Sequence, residues 1–134
     1  MAFVGQTSLQ FEVNPPNTVI KNVTCDATVY IGALVRMSGG IAVNALADNA
    51  DNANVIGIVE DKSSATVCVI RFLGVTNPIF AGLDETKEYY LSDVTPGLIT
   101  TTIPVTSGHV VLKVGQPFND KQLLVLKGTR LVRS

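Results

Sequence analysis

Charge is scarce in this chain: Asp, Glu, Lys and Arg make up 16% of its 134 residues, against about 25% in an average soluble domain. Its ten basic and eleven acidic side chains leave a formal net charge of −1. That is no footprint for a polyanion, so neither nucleic acid nor an anionic membrane is an expected partner. Long apolar runs are also missing. A membrane-spanning helix needs about 20 consecutive apolar residues, and the runs here stop after a few, as in Leu123-Leu124-Val125-Leu126. The opening residues, Met1-Ala2-Phe3-Val4-Gly5-Gln6, have neither the basic nor the apolar region of a secretory leader. Without a leader, Cys25 and Cys68 are expected to be reduced and buried, because disulfides belong to oxidising compartments.

Chemistry-bearing residues are few. The single histidine, His109, follows Ser107-Gly108, which is ordinary turn composition, and a triad would need a nucleophile and an orienting carboxylate beside it. A surface or strand-end histidine is the expectation. Asp48-Asn49-Ala50-Asp51-Asn52 repeats oxygen ligands but lacks the central Gly and terminal Glu of a calcium loop. Asx residues cap turns unaided, so a plain surface loop is expected there. Asp84, Glu85 and Glu88 have no matching ligand set, and no Gly-rich phosphate loop opens a helix. No enzymatic activity, cofactor or metal is expected.

What the chain has in abundance is β-branched side chains: 19 Val, 9 Ile and 13 Thr fill 41 of 134 positions. Such residues are stiff at χ1 and suit a pleated sheet, so the expected fold is all-β. A chain of this length fits one domain. Within residues 1–17, Leu9, Phe11 and Val13 alternate with Gln10 and Glu12, the period of a half-buried strand. Asn14-Pro15-Pro16-Asn17 follows, and two prolines fix φ and remove two donors. Residues 1–17 are thus a candidate extended N-terminal arm, and 18–134 the domain. An arm of this kind can add a strand to another chain's sheet edge, with Phe3, Val4, Leu9, Phe11 and Val13 filling pockets. The competing reading is an edge strand folded back on its own domain.

Beyond the arm, strands are predicted over 18–24, 28–37, 41–43, 55–59, 66–73, 87–91, 98–102, 110–114 and 122–127. In the fifth, Cys68, Ile70 and Phe72 share one face and Val67, Val69 and Arg71 the other. Glu60-Asp61-Lys62-Ser63-Ser64 reads as a turn, and Gly74 and Pro78 as breaks. Short strands at this spacing indicate a small barrel or sandwich. Charge is unevenly placed: residues 48–93 hold eight acidic and three basic groups, net −5, while residues 113–134 hold five basic and one acidic, net +4. Lys127, Arg130 and Arg133 alternate with Leu131 and Val132 in a short basic tail that could dock on an acidic partner.

Several blocks carry a resemblance: Val29-Tyr30-Ile31-Gly32-Ala33-Leu34-Val35, Asn54-Val55-Ile56-Gly57-Ile58-Val59, Ala81-Gly82-Leu83, and above all Tyr89-Tyr90-Leu91-Ser92-Asp93-Val94-Thr95-Pro96-Gly97 with Gly108-His109-Val110-Val111-Leu112-Lys113-Val114-Gly115. With them the chain resembles the capsid decoration, or cement, proteins of tailed bacteriophages. The resemblance implies a β-barrel-like, β-tulip-like domain that forms a homotrimer on the outer capsid surface of a virion assembled in the host cytoplasm. It also implies an N-terminal arm that engages the major capsid protein, and no active site. Similar blocks occur in head fibre, neck and tail proteins, which are the alternative; a small ligand-binding or enzymatic barrel is a third reading.

Overall fold

The computed structural model describes residues 18–134 of the chain. Those residues form twelve strands and, among the described residues, no helix. The fold is all-β, as β-branched composition requires.

The first sheet contains β1 (Val19–Thr24), β2 (Leu34–Ser38), β3 (Ile41–Asn44), β4 (Gly57–Ser64) and β5 (Val67–Arg71), in the order β1-β5-β4-β2-β3. All its ladders are antiparallel. The β2–β3 hairpin turns at Gly39 and Gly40, with φ of 59° and 82°. A two-residue turn with both φ positive matches the right-handed twist of its strands, and glycine adopts it without strain. At β1 the ladder skips Lys21 and Asn22, and Asn22 takes a φ of 57°, a left-handed conformation that Asn tolerates better than most residues. The two edges of the sheet approach each other at an isolated bridge between Cys25 and Ala42.

The second sheet contains β6 (Gly74–Val75), β7 (Tyr89–Leu91), β8 (Ile99–Thr100), β10 (Lys113–Pro117) and β11 (Leu123–Val125), in the order β6-β11-β10-β7-β8. A two-stranded ribbon joins β9 (Val110–Val111) to β12 (Leu131–Val132). The sheets do not close into a barrel, which corrects one of the two architectures expected from strand spacing.

Each face of the first sheet packs on a core of its own. Val35, Ala42, Val59, Cys68 and Ile70 cluster on one side, covered by Cys25, Val29 and Ala33 of the 25–33 connection. Leu34 and Ile58 point the other way, against Tyr89, Leu91, Leu112, Val114, Leu123 and Val125. Burial of each such Leu or Ile contributes about 1.5–3 kcal/mol, so this shared layer dominates cohesion between the sheets. The 45–55 connection also lies on it: Ala45, Ala47 and Ala53 are fully buried. Residues 48–52 are exposed or only partly buried, as expected of a surface loop, while the flanking Ala45, Ala47 and Ala53 turn into the core.

Other expectations need correction. Residues 60–64 are not a turn but the second half of β4, which turns only at 65–66. Their polarity misled because the ladder skips a residue at Glu60 and again at Ser63, and a bulge re-aims side chains. The predicted strand over 28–37 begins only at Leu34, because the chain turns at Val29 and Ala33, whose amides bond to Asp26 and Tyr30 carbonyls. Gly74, read as a break, begins β6. The predicted 110–114 strand is two: β9 pairs with β12 and β10 with β7 and β11, with buried Leu112 between. The faces of β5 are as the alternation requires, with Cys68 and Ile70 buried and Val67, Val69 and Arg71 only partly so.

Candidate interaction surfaces

Phe3, Val4, Leu9, Phe11 and Val13, the expected arm contacts, lie outside the described residues. The basic tail is described, and its backbone is held. Leu131 and Val132 pair with Val111 and Val110, the Arg133 amide donates to the His109 carbonyl at 2.7 Å, and Gly108 donates back to the Arg133 carbonyl at 2.8 Å. Arg130 reaches across to donate to the Ala50 carbonyl at 2.7 Å, on the acidic 48–54 connection. Among the described residues, none of Lys127, Arg130 and Arg133 is ion-paired. The sequence marks these cations but not the strand between them, because Leu131-Val132 is too short to show a period.

Beside this ribbon runs a groove of about 520 Å³, lined by Ile103, Val111, Leu131, Val132, Arg133 and Ser134. Its apolar members are unusually open: Leu131 is 61% exposed and Val132 57%, with Val105 at 75% and Val94 at 82% elsewhere on the surface. Single exposed apolar residues are ordinary, but neighbours on one exposed strand mark a contact surface.

His109 is half-buried at the start of β9, its Nδ1 2.9 Å from Asp93 Oδ2. Among the described residues the ring has no hydrogen bond to a hydroxyl or thiol, and Ser107 is not its partner. Nearby Ser92 uses its buried Oγ to accept the amides of Val94 and Thr95. The pair therefore ties the loop after β7 to the ribbon. Asp48 and Asn49 turn their oxygens onto Asn52, accepting from its side-chain amide at 2.9 Å and its backbone amide at 2.8 Å. Among the described residues no group of three His, Cys, Asp or Glu is placed to hold a metal ion. Glu88 is not unpartnered: Lys113 donates to it at 2.7 Å and holds its carboxyl below the usual range, by that hydrogen bond first and by charge second. Asp84, exposed, is likewise lowered by hydrogen bonds from the Thr86 hydroxyl and amide.

A buried ion pair escaped the sequence reading. Glu60, 6% exposed, takes the Arg71 guanidinium on both oxygens, at 2.8 and 3.1 Å, and the Asn77 amide at 3.1 Å. Arg71 also donates to Thr18 Oγ1 at 3.1 Å and to the Leu73 carbonyl at 3.2 Å. An arginine amid the apolar run 67–73 was the available signal, since such a residue is seldom buried unpaired. The two thiols are free and buried, and burial first, then the neighbouring Cys25, pushes the Cys68 thiol up to about 12. No known protein family, no curated protein and no solved structure matches the chain.

Proposed function

We propose that this chain is a structural protein of a tailed-bacteriophage virion, a capsid decoration protein with a sandwich-like β domain. In this reading it forms a homotrimer on the outer capsid surface and staples neighbouring major capsid protein subunits, with residues 1–17 engaging the shell. The observation that carries the reading is the open apolar ribbon on a charge-poor chain, with Leu131 and Val132 more than half exposed beside a 520 Å³ groove. Surfaces of that kind are covered by a partner. The resemblance of Tyr89–Gly97 and Gly108–Gly115 to decoration proteins supplies the identity of that partner; in the fold the second block contains the ribbon's β9, and the first is joined to it through Asp93 and His109.

The test is sedimentation of the purified chain alone and with undecorated capsids built from the corresponding major capsid protein. A stable trimer that co-sediments with capsids at saturable occupancy is expected, and removal of residues 1–17 is expected to leave the domain folded but unbound. A monomer that ignores the capsids overturns the reading; truncated protein with unchanged occupancy overturns the role of the arm.

A further inference from the structure

The ribbon of β9 and β12 leaves one edge open. Arg133 donates its amide to the His109 carbonyl and accepts the Gly108 amide on its own carbonyl, so its backbone polar groups face β9. In an antiparallel ladder, hydrogen-bonded and non-hydrogen-bonded pairs alternate. Leu131, opposite Val111, is therefore bonded inward as well, and Val132, opposite Val110, is not. Val110 obeys the same alternation, because its amide turns away from β12 and donates to the Ala47 carbonyl at 2.9 Å. The Val132 amide and carbonyl thus point outward, to a side on which β12 has no neighbouring strand among the described residues. An unpaired edge of this kind is a template for an extended segment of another chain.

The side chains along the edge define what that segment carries. From Arg130 to Arg133 they run cation, apolar, apolar, cation. Leu131 and Val132 are both more than half exposed. Neither arginine is ion-paired among the described residues, and Arg130 holds only the Ala50 carbonyl. A strand added antiparallel to this edge sets a residue whose own polar groups face β12 opposite Val132. Its next residue falls opposite Leu131 and the one after that opposite Arg130, while the residue before it falls opposite Arg133. Carboxylates at the two outer places and apolar side chains at the two inner ones complete all four pairs. A second copy does not supply this order. Pairing two copies of β12 gathers four guanidiniums with no side-chain carboxylate among them, and nowhere in the 134 residues do two acidic residues enclose a pair of apolar ones.

We propose that the outer edge of β12 docks an extended segment of a different protein, which carries an acid, apolar, apolar, acid tetrad and adds antiparallel beside Arg130–Arg133. The inference rests on the capsid reading only in taking the ribbon for a partner surface. The test titrates the full, isotope-labelled chain with the blocked peptide Thr-Glu-Val-Val-Glu-Thr. Saturable shifts of the backbone resonances of residues 130–134 are expected, with binding that weakens as salt is raised. The scrambled peptide Val-Glu-Glu-Thr-Thr-Val, of equal composition and charge, is expected to bind at least about tenfold more weakly. In a variant carrying Arg130→Glu and Arg133→Glu the preference should reverse, towards the peptide with lysine in place of glutamate. Equal affinity for the scrambled peptide would reduce the edge to a diffuse positive charge and overturn the proposal. So would shifts confined to other residues, no saturation into the millimolar range, or no reversal in a natively folded variant. Self-association of the free chain through residues 130–134 would assign the edge to a second copy and overturn it too. The two readings fail separately: a chain that binds the tetrad peptide but ignores capsids loses the capsid reading alone, and one that binds capsids but not the peptide loses this one.

Discussion

Replacing Arg71 by alanine is expected to destabilise the fold by about 3–5 kcal/mol, the range for breaking a buried pair from one side. The size follows from what is left behind. Glu60 would keep only the Asn77 amide at 3.1 Å, with a side chain 5% exposed and so almost no access to water. Glu60→Ala is expected to cost less, about 1–3 kcal/mol, because the Arg71 side chain is 18% exposed and retains Thr18 and Leu73 as acceptors. The order of the two variants is thus set by burial, the less accessible partner suffering more when abandoned. Urea unfolding followed by far-ultraviolet circular dichroism at pH 7 measures both, and the double variant completes the cycle. Equal costs for the single variants, or a coupling below about 0.5 kcal/mol, would refute the claim that Glu60 depends on this guanidinium.

Two further outcomes are expected. Gly115→Ala would drive a Cβ into the Leu124 carbonyl oxygen and to 3.0 Å from Leu123 Cγ; since backbone cannot step aside cheaply, the β10–β11 ladder should be forced apart, at about 3 kcal/mol or more, read as a fall in midpoint in the same urea titration, and an unchanged midpoint would contradict the close approach. Cys68 is held in its neutral form, its thiol raised from 9.0 to about 12: the folded state favours the proton, so this contribution is full below pH 9 and is lost as pH rises towards 12. Stability should therefore fall over that interval in the parent, and fall less in Cys68→Ala, with equal slopes excluding the linkage.

Legibility in the sequence tracked local regularity. The alternation from Val67 to Arg71 fixes which side chains are buried because a strand on a cored sheet leaves no other arrangement. The Gly39-Gly40 pair is equally plain, since a two-residue hairpin turn needs positive φ at both positions. What was hidden was tertiary. Glu60 looks like the start of a polar turn until the bulge at that residue and Arg71 across the ladder explain why a carboxylate is taken inside. Ala45, Ala47 and Ala53 carry no periodic signal, and only their place in the cluster with Leu34 and Ile58 shows them as core. The basic tail was recognisable by charge, but that Arg133 and Leu131 are bound through their backbone to the segment at 109–111 depends on partners twenty or more positions away, which no local pattern encodes.

The two large sheets draw on consecutive, non-overlapping stretches, the first ending at Arg71 and the second starting at Gly74. Synthesis therefore delivers every strand of the first sheet before any strand of the second exists. Until β7, β10 and β11 arrive, Leu34 and Ile58 have only the 45–55 connection to cover them, leaving a partly open apolar face of the kind that makes nascent domains prone to misassociation. The Glu60–Arg71–Thr18 cluster, with its hydrogen bond onward to Asn77, lies at the seam between these stretches. It ties the end of the earlier stretch to the start of the later one.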